Sequence, residues 1–197
     1  MRPTATASPT ATLRPDPDAA LVRALASPNR GERDTAMRSL VEAHAPRLHA
    51  TAARLLGDAA SAEDVVQDTF LKAWARAADW RPGAALFSTW LHRVTVNACL
   101  DRLRKTRPAT GVSLDHIADE RLSAHARLER ADRGRALQTA MDALPHDQRA
   151  ALALSLSGLS QRDAAAALKI TESAYESRLV RARRALRATF QEIPHAV

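Results

Sequence analysis

Apolar residues recur along this chain at helical spacing, and turn residues cut the pattern into segments. The first begins near Ala19, where Leu21, Val22 and Leu25 share a face, and stops at Ser27-Pro28-Asn29. A second runs from about Glu32 to Leu56 with Leu40, Val41, Leu48, Leu55 and Leu56. Pro46 inside it predicts a kink or a division, and Gly57 predicts its end. Ser61, with Asp64 three residues on, reads as a capping box opening a third helix, whose Val66, Phe70, Ala73 and Ala77 face a core. After a loop at Asp79-Trp80-Arg81-Pro82-Gly83, a fourth helix is predicted from about Leu86 to Arg104. Its inner stripe is Phe87, Leu91, Val94 and Ala98.

Large apolar residues then thin out from Thr106 to about Ala131, with Pro108 and Gly111 at the start. That stretch reads as a linker. Helical pattern returns at Leu137, Met141 and Leu144, and Pro145 suits the first turn of the next helix, which Ala150, Leu152 and Leu156 carry to Gly158. Two further helices, Ser160–Leu168 and Thr171–Phe190, follow. The prediction is an all-α protein of two small helical domains joined by a flexible linker. The divisions are a disordered tail over 1–18 with Pro3, Pro9, Pro15 and Pro17, a first domain over 19–107, a linker over 108–131 and a second domain over 132–192.

Charge adds a partner to this picture. The 197 residues carry 29 Lys+Arg against 22 Asp+Glu, a formal net charge of +7. Such a surplus points to a polyanion, either nucleic acid or an anionic membrane. Membrane insertion is not expected, because no apolar run approaches the roughly 18 residues of a span. The start of the chain also lacks a signal-type apolar stretch. A single cysteine, Cys99, excludes an internal disulfide framework and multi-cysteine metal sites, and fits a reducing, cytosolic compartment. There is no Gly-rich phosphate loop and no histidine pair at zincin spacing, and Asp115 and Asp119 sit in the linker. No catalytic residue, metal site or cofactor is expected, and the chain is read as no enzyme.

Three constellations remain. Ser160 to Arg187 has helix-turn-helix grammar: a capping pair at Ser160 and Asp163, a turn at Lys169-Ile170, and a last helix with the apolar stripe Tyr175, Leu179, Ala182 and Leu186. That helix is basic, and Arg178, Arg181 and Arg184 are expected opposite the stripe, where they could meet DNA. Cations near a helix C-terminus also suit its dipole, so a solvated basic end fits the same residues. Second, Trp80 sits in a loop beside Arg81 and belongs to a cluster holding five of the seven aromatics, from Phe70 to Trp90. It reads as core or as a platform for an unstacked base. Third, Glu63 to Asp68 places acids and an amide at a helix start, which suits dipole compensation or a protein-binding face.

Taken in order, these segments resemble the extracytoplasmic-function (ECF) sigma factors of bacterial RNA polymerase. AEDVVQDTFLKAW (Ala62–Trp74) is similar to their polymerase-binding helix, and FSTWLHRVTVNACLDRLRK (Phe87–Lys105) to the promoter-reading segment after it. ALPHDQRAALAL (Ala143–Leu154), GLSQRDAAAALKI and SRLVRARRALR resemble the second domain. The resemblance implies a sigma-2-like helical bundle and a sigma-4-like helix-turn-helix domain. It implies that Asp64, Gln67 and Asp68 face the clamp helices of the largest polymerase subunit. Asp79, Trp80 and Arg81 would receive a flipped −10 base, with Arg93, Asn97 and Arg104 lining that DNA. Ser177, Arg178, Arg181 and Arg184 would meet the −35 element. It further implies an anti-sigma factor as partner and a bacterial cytoplasmic location. The chain departs from the family at Ser173-Ala174-Tyr175-Glu176, where relatives carry a Gly-Thr-Val-Lys-like turn. A carboxylate at Glu176 suits cytosine N4 instead. The rival reading is a stand-alone helix-turn-helix regulator, which leaves the Ala62–Trp74 match unexplained.

Overall fold

A computed structural model of the chain describes residues 15–80, 85–105 and 134–192, and every regular element among them is a helix. The first block holds α1 (Ala19–Ala24), α2 (Arg30–Leu56), α3 (Ala59–Arg76) and α4 (Phe87–Lys105). The second holds α5 (134–142), α6 (His146–Ser155), α7 (Gln161–Leu168) and α8 (Glu172–Glu192). The expected linker and most of the expected tail lie outside the described residues.

Local chemistry sets the boundaries. Asn29 starts α2 by accepting the Gly31 and Glu32 amides at 2.9 and 3.4 Å. Pro46 does not divide α2, which runs unbroken for 27 residues. The proline sits on the exposed face, where water can satisfy the carbonyl it leaves without a donor, while fully buried Leu40 and Leu48 anchor the turns on either side. Gly57 ends the helix at φ 74°, a left-handed conformation that favours glycine. The capping of α3 differs from expectation. Asp58, not Ser61, is the cap, and its carboxylate accepts the Ala60 and Ser61 amides at 3.3 and 2.9 Å. Hydrogen bonding from Ser61 holds that carboxyl below its usual range.

Two apolar clusters fill the interior. The first joins α1 to one end of the α2–α4 bundle through Val22, Leu40, Leu48, Phe70, Phe87 and Leu91. The second begins at the other end, at Leu55, Val65, Val96 and Cys99, and continues without a break into Met141, Leu154, Ala165 and Tyr175. The two helical blocks therefore pack on each other. Each fully buried leucine in these clusters is worth roughly 1.5–3 kcal/mol relative to exposure. Burial pushes the Cys99 thiol up to about 12, so it stays a neutral packing group.

Polar bonds cross the same junction. Arg149, only 6% exposed, donates to Leu55 O at 3.1 Å and to Asp142 Oδ1 at 3.0 Å. Gln138 donates to Arg54 O at 3.4 Å and to the same carboxylate at 3.0 Å. Both therefore supply donors to carbonyls in the last turn of α2, which no intrahelical amide reaches. This shared junction also explains α4. Sequence spacing gave it one inner stripe, whereas it buries two faces: Phe87 and Leu91 toward the first cluster, Val96 and Cys99 toward the second.

Candidate nucleic-acid interface

The α3 surface is built by a helix with one buried side. Val65, Val66, Thr69, Phe70 and Ala73 point inward, so Asp64, Gln67 and Asp68 are left exposed together. The Asp64 carboxylate lies 3.5 Å from the Arg102 guanidinium of α4, which also donates to Ser61 O at 3.2 Å. Beyond the acids, Leu71 is 62% exposed and Trp74 is 40% exposed, with the Arg33 guanidinium 6.0 Å from the Trp74 ring centre. Gln67, Leu71 and Trp74 follow at i, i+4 and i+7, so an acid–amide patch runs into an apolar one. Leu71 was not among the expected contact residues; its signal is an apolar residue standing outside the Val66-Phe70-Ala73 stripe.

A cleft of about 220 Å³ opens where α3 ends and α4 begins. Ala73, Arg76, Asp79, Trp80, Phe87 and Trp90 line it. Trp80 meets Phe87 edge to face at 5.6 Å, and Phe87 stacks on Trp90 at 5.6 Å and 17°. Two of the expected −10 residues, Asp79 and Trp80, are thus at the cleft, while Arg81 lies outside the described residues. Phe87 and Trp90 belong to the aromatic cluster expected around Trp80, whereas Arg76 was not anticipated there. Both charge signs line it with the aromatic rings, and since Phe87 is only 1% exposed, the accessible ring surface comes from Trp80 and Trp90. Along α4, Asn97 and Arg104 are exposed and Arg93 is half-buried. The spacing of the three puts them on one face, and Arg104 is ion-paired with Asp101.

The helix-turn-helix forms as its caps predict. Ser160 Oγ accepts the Asp163 amide at 3.1 Å, Lys169 turns the chain at φ 56°, and Thr171 Oγ1 accepts the Ala174 amide at 3.1 Å. Buried Tyr175 and Ala182 seat α8, and the Tyr175 hydroxyl donates to Ala151 O at 3.1 Å. At about 100° per residue, Ser177, Val180, Arg181 and Arg184 occupy one sector opposite that stripe. Arg178 is not centred there. It sits on the flank, half-buried, with Nε 3.4 Å from Asp147 on α6. Arg181 Nε donates to Ser177 O at 3.2 Å. Val180, 57% exposed among these groups, was also missed, and an apolar side chain there can meet a thymine methyl.

Comparison with known proteins decides the family. The sigma-70 region 2 family model matches residues 40–109, and the sigma-70 region 4 model matches 134–186. The chain is 37% identical to the ECF RNA polymerase sigma factor SigL of Mycobacterium tuberculosis, over 80% of this chain and 90% of that one. It belongs to the ECF sigma factors of the sigma-70 family. The ECF sigma factor SigE of Mycolicibacterium smegmatis is 34% identical over 75% of this chain, which spans 59% of that longer relative. Among solved structures, CnrH in complex with the cytosolic domain of CnrY superposes with a TM-score of 0.68 at 32% identity, covering 90% of this sigma factor and 99% of that chain. The sigma factor RpoE bound to the anti-sigma factor NepR from Bartonella quintana gives 0.62 at 26% identity, over 79% and 97%. For this sigma factor, the cleft and the α8 face lie in the region 2 and region 4 matches respectively. Among the described residues no helix is long and apolar enough to cross a membrane, and no cluster of three or more His, Cys, Asp or Glu could hold a metal ion.

Proposed function

We propose that this sigma factor works through three surfaces. The exposed α3 face, with Asp64, Gln67, Asp68 and the adjoining Leu71, docks on the clamp helices of the largest polymerase subunit. The aromatic slot takes a base flipped from the non-template strand of the −10 element, with Asp79 and Trp80 at it, Arg81 next in sequence contributing to the same contact, and Arg93, Asn97 and Arg104 along the strand. Capture offsets the unstacking of that base, a few kcal/mol. The outer face of α8 lies in the major groove of the −35 element. There Arg181 and Arg184 read or hold the DNA beside Ser177, and Arg178 approaches from the flank. A good bidentate arginine–guanine pair is worth about 1–3 kcal/mol of discrimination.

The observation that carries the reading is the aromatic slot at the α3–α4 loop in the same chain as a basic helix-turn-helix. A stand-alone duplex regulator has no use for a slot that fits a base only after it leaves the stack. The reading extends to an anti-sigma partner, as in the complex of RpoE, and to action in the bacterial cytoplasm, where polymerase and promoter are found.

The test is co-elution with core polymerase followed by transcription from a random promoter library. A shared pair of sequence elements among active promoters is expected. Trp80→Ala should impair melting more than closed-complex binding, and a pre-melted template should restore transcription. Failure of that rescue would make Trp80 a packing residue. Normal co-elution of Asp68→Arg would remove Asp68 from the polymerase interface.

A further inference from the structure

The aromatic slot hangs on the first turn of α4, and that turn has an anchor from far away in sequence. Phe87 is the first residue of α4, is 1% exposed, and forms the middle of the aromatic stack. Helix starts leave amides without intrahelical acceptors, and the residue before Phe87 is Leu86, whose side chain cannot accept a hydrogen bond. The Phe87 amide instead donates to Asp16 Oδ2 at 2.6 Å, across 71 positions of sequence. A carboxylate at this place also complements the positive end of the α4 dipole.

Asp16 is itself held. Its other carboxylate oxygen accepts the Asp18 amide at 2.9 Å, and its carbonyl accepts the Ala19 amide at 3.2 Å. Asp18 is 8% exposed and lies 3.0 Å from His44 Nε2 on α2. The segment before α1 thus lies against α2 and caps α4. Phe87 is the point at which that segment reaches the lining of the slot.

We propose that Asp16 is a positioning residue for −10 recognition. By capping α4 it sets the position of Phe87, and through Phe87 the spacing between Trp80 and Trp90. The residues before α1 thus contribute to promoter opening without touching DNA. This inference rests on the slot's proposed role in −10 recognition.

The experiment uses full-length protein in holoenzyme with core polymerase. The probe is a single-stranded oligonucleotide carrying the −10 sequence found by promoter selection, with 2-aminopurine at the flipped position. Asp16→Ala should weaken oligonucleotide binding about fivefold to tenfold and speed exchange of the Phe87 amide at least tenfold. Affinity for core polymerase and for −35 duplex should stay within twofold. Asp16→Asn, which keeps an oxygen for the same amide, should recover most of both losses. Oligonucleotide binding within twofold of wild type in Asp16→Ala, with Phe87 exchange accelerated, overturns the positioning role. Unchanged Phe87 exchange overturns the cap itself. If wild-type holoenzyme does not bind the oligonucleotide, the reading of the slot fails first and takes this inference with it, while accelerated Phe87 exchange would still report the cap.

Discussion

Replacing Arg149 with alanine tests the junction between the two helical blocks. The guanidinium is almost wholly inside, and it donates to Leu55 O on α2 and to Asp142, the last residue of α5. Loss of the donor leaves the Leu55 carbonyl, in the last turn of α2, without a partner, at about 1–3 kcal/mol. The ion pair adds less than a fully buried one, because the Asp142 side chain is 49% exposed and water screens it, so we assign it below about 1 kcal/mol. Loss of the packed stem brings the expected total to about 3 kcal/mol. At a typical urea slope of about 2 kcal/mol/M for a small protein, that is a midpoint shift of about 1.5 M. The assay follows urea unfolding by tryptophan fluorescence and far-ultraviolet circular dichroism. All three tryptophans, Trp74, Trp80 and Trp90, lie in the first block, whereas dichroism reports every helix. The two transitions should coincide in the wild type and separate in Arg149→Ala, with helix loss in the second block coming first. A midpoint loss worth less than about 1 kcal/mol, with coincident transitions, would refute the coupling.

Two other perturbations have defined signs. Gly57→Ala forces a β-carbon onto a left-handed residue and sets it 3.2 Å from the flexible end of Gln138, so a loss of about 1–2 kcal/mol is expected. The thermal midpoint should fall by a few degrees, and an alanine variant as stable as the parent would contradict the strain. Burial holds the His92 imidazole below its ordinary 6.5, despite the Ser88 carbonyl at its Nδ1. Below that ordinary value the unfolded chain takes up a proton that the folded chain resists, so stability should fall as pH drops through about 6.5. His92→Gln should flatten that slope in denaturation measured from pH 7.5 to 5.5.

Much of this fold was written locally. Prolines, glycines and capping residues fix where α1, α2, α7 and α8 stop and start, and each signal acts within a few residues. The errors have a common cause, which is distance. Asp58 displaced Ser61 as the cap because α3 begins immediately after the left-handed Gly57, a backbone fact that apolar spacing does not contain. The second buried face of α4 depends on helices beyond residue 133. Arg178 was expected in the outer sector, but it lies nearer the core stripe, where Asp147 from α6 can hold it. Of the candidate surfaces, the acids of α3 and the outer arginines of α8 were visible as exposed positions on patterned helices. The slot was only partly visible, because Arg76, Phe87 and Trp90 converge on Trp80 through the crossing of two helices.

The continuous core between the blocks bears on reach. Promoter elements at −10 and −35 stand about 25 base pairs apart, or about 85 Å along B-form DNA. Residues 106–133 number 28, and a fully extended chain of that length spans at most about 95 Å. The connection is therefore long enough for one block to sit at each element even before the width of the blocks is counted. While the blocks share their core, Val96 and Cys99 are packed against the second block. Any promoter-bound state with the blocks apart must cover that apolar surface some other way or bear its exposure. The tether meanwhile keeps the local concentration of each block near the other high, which favours reclosure whenever DNA lets go.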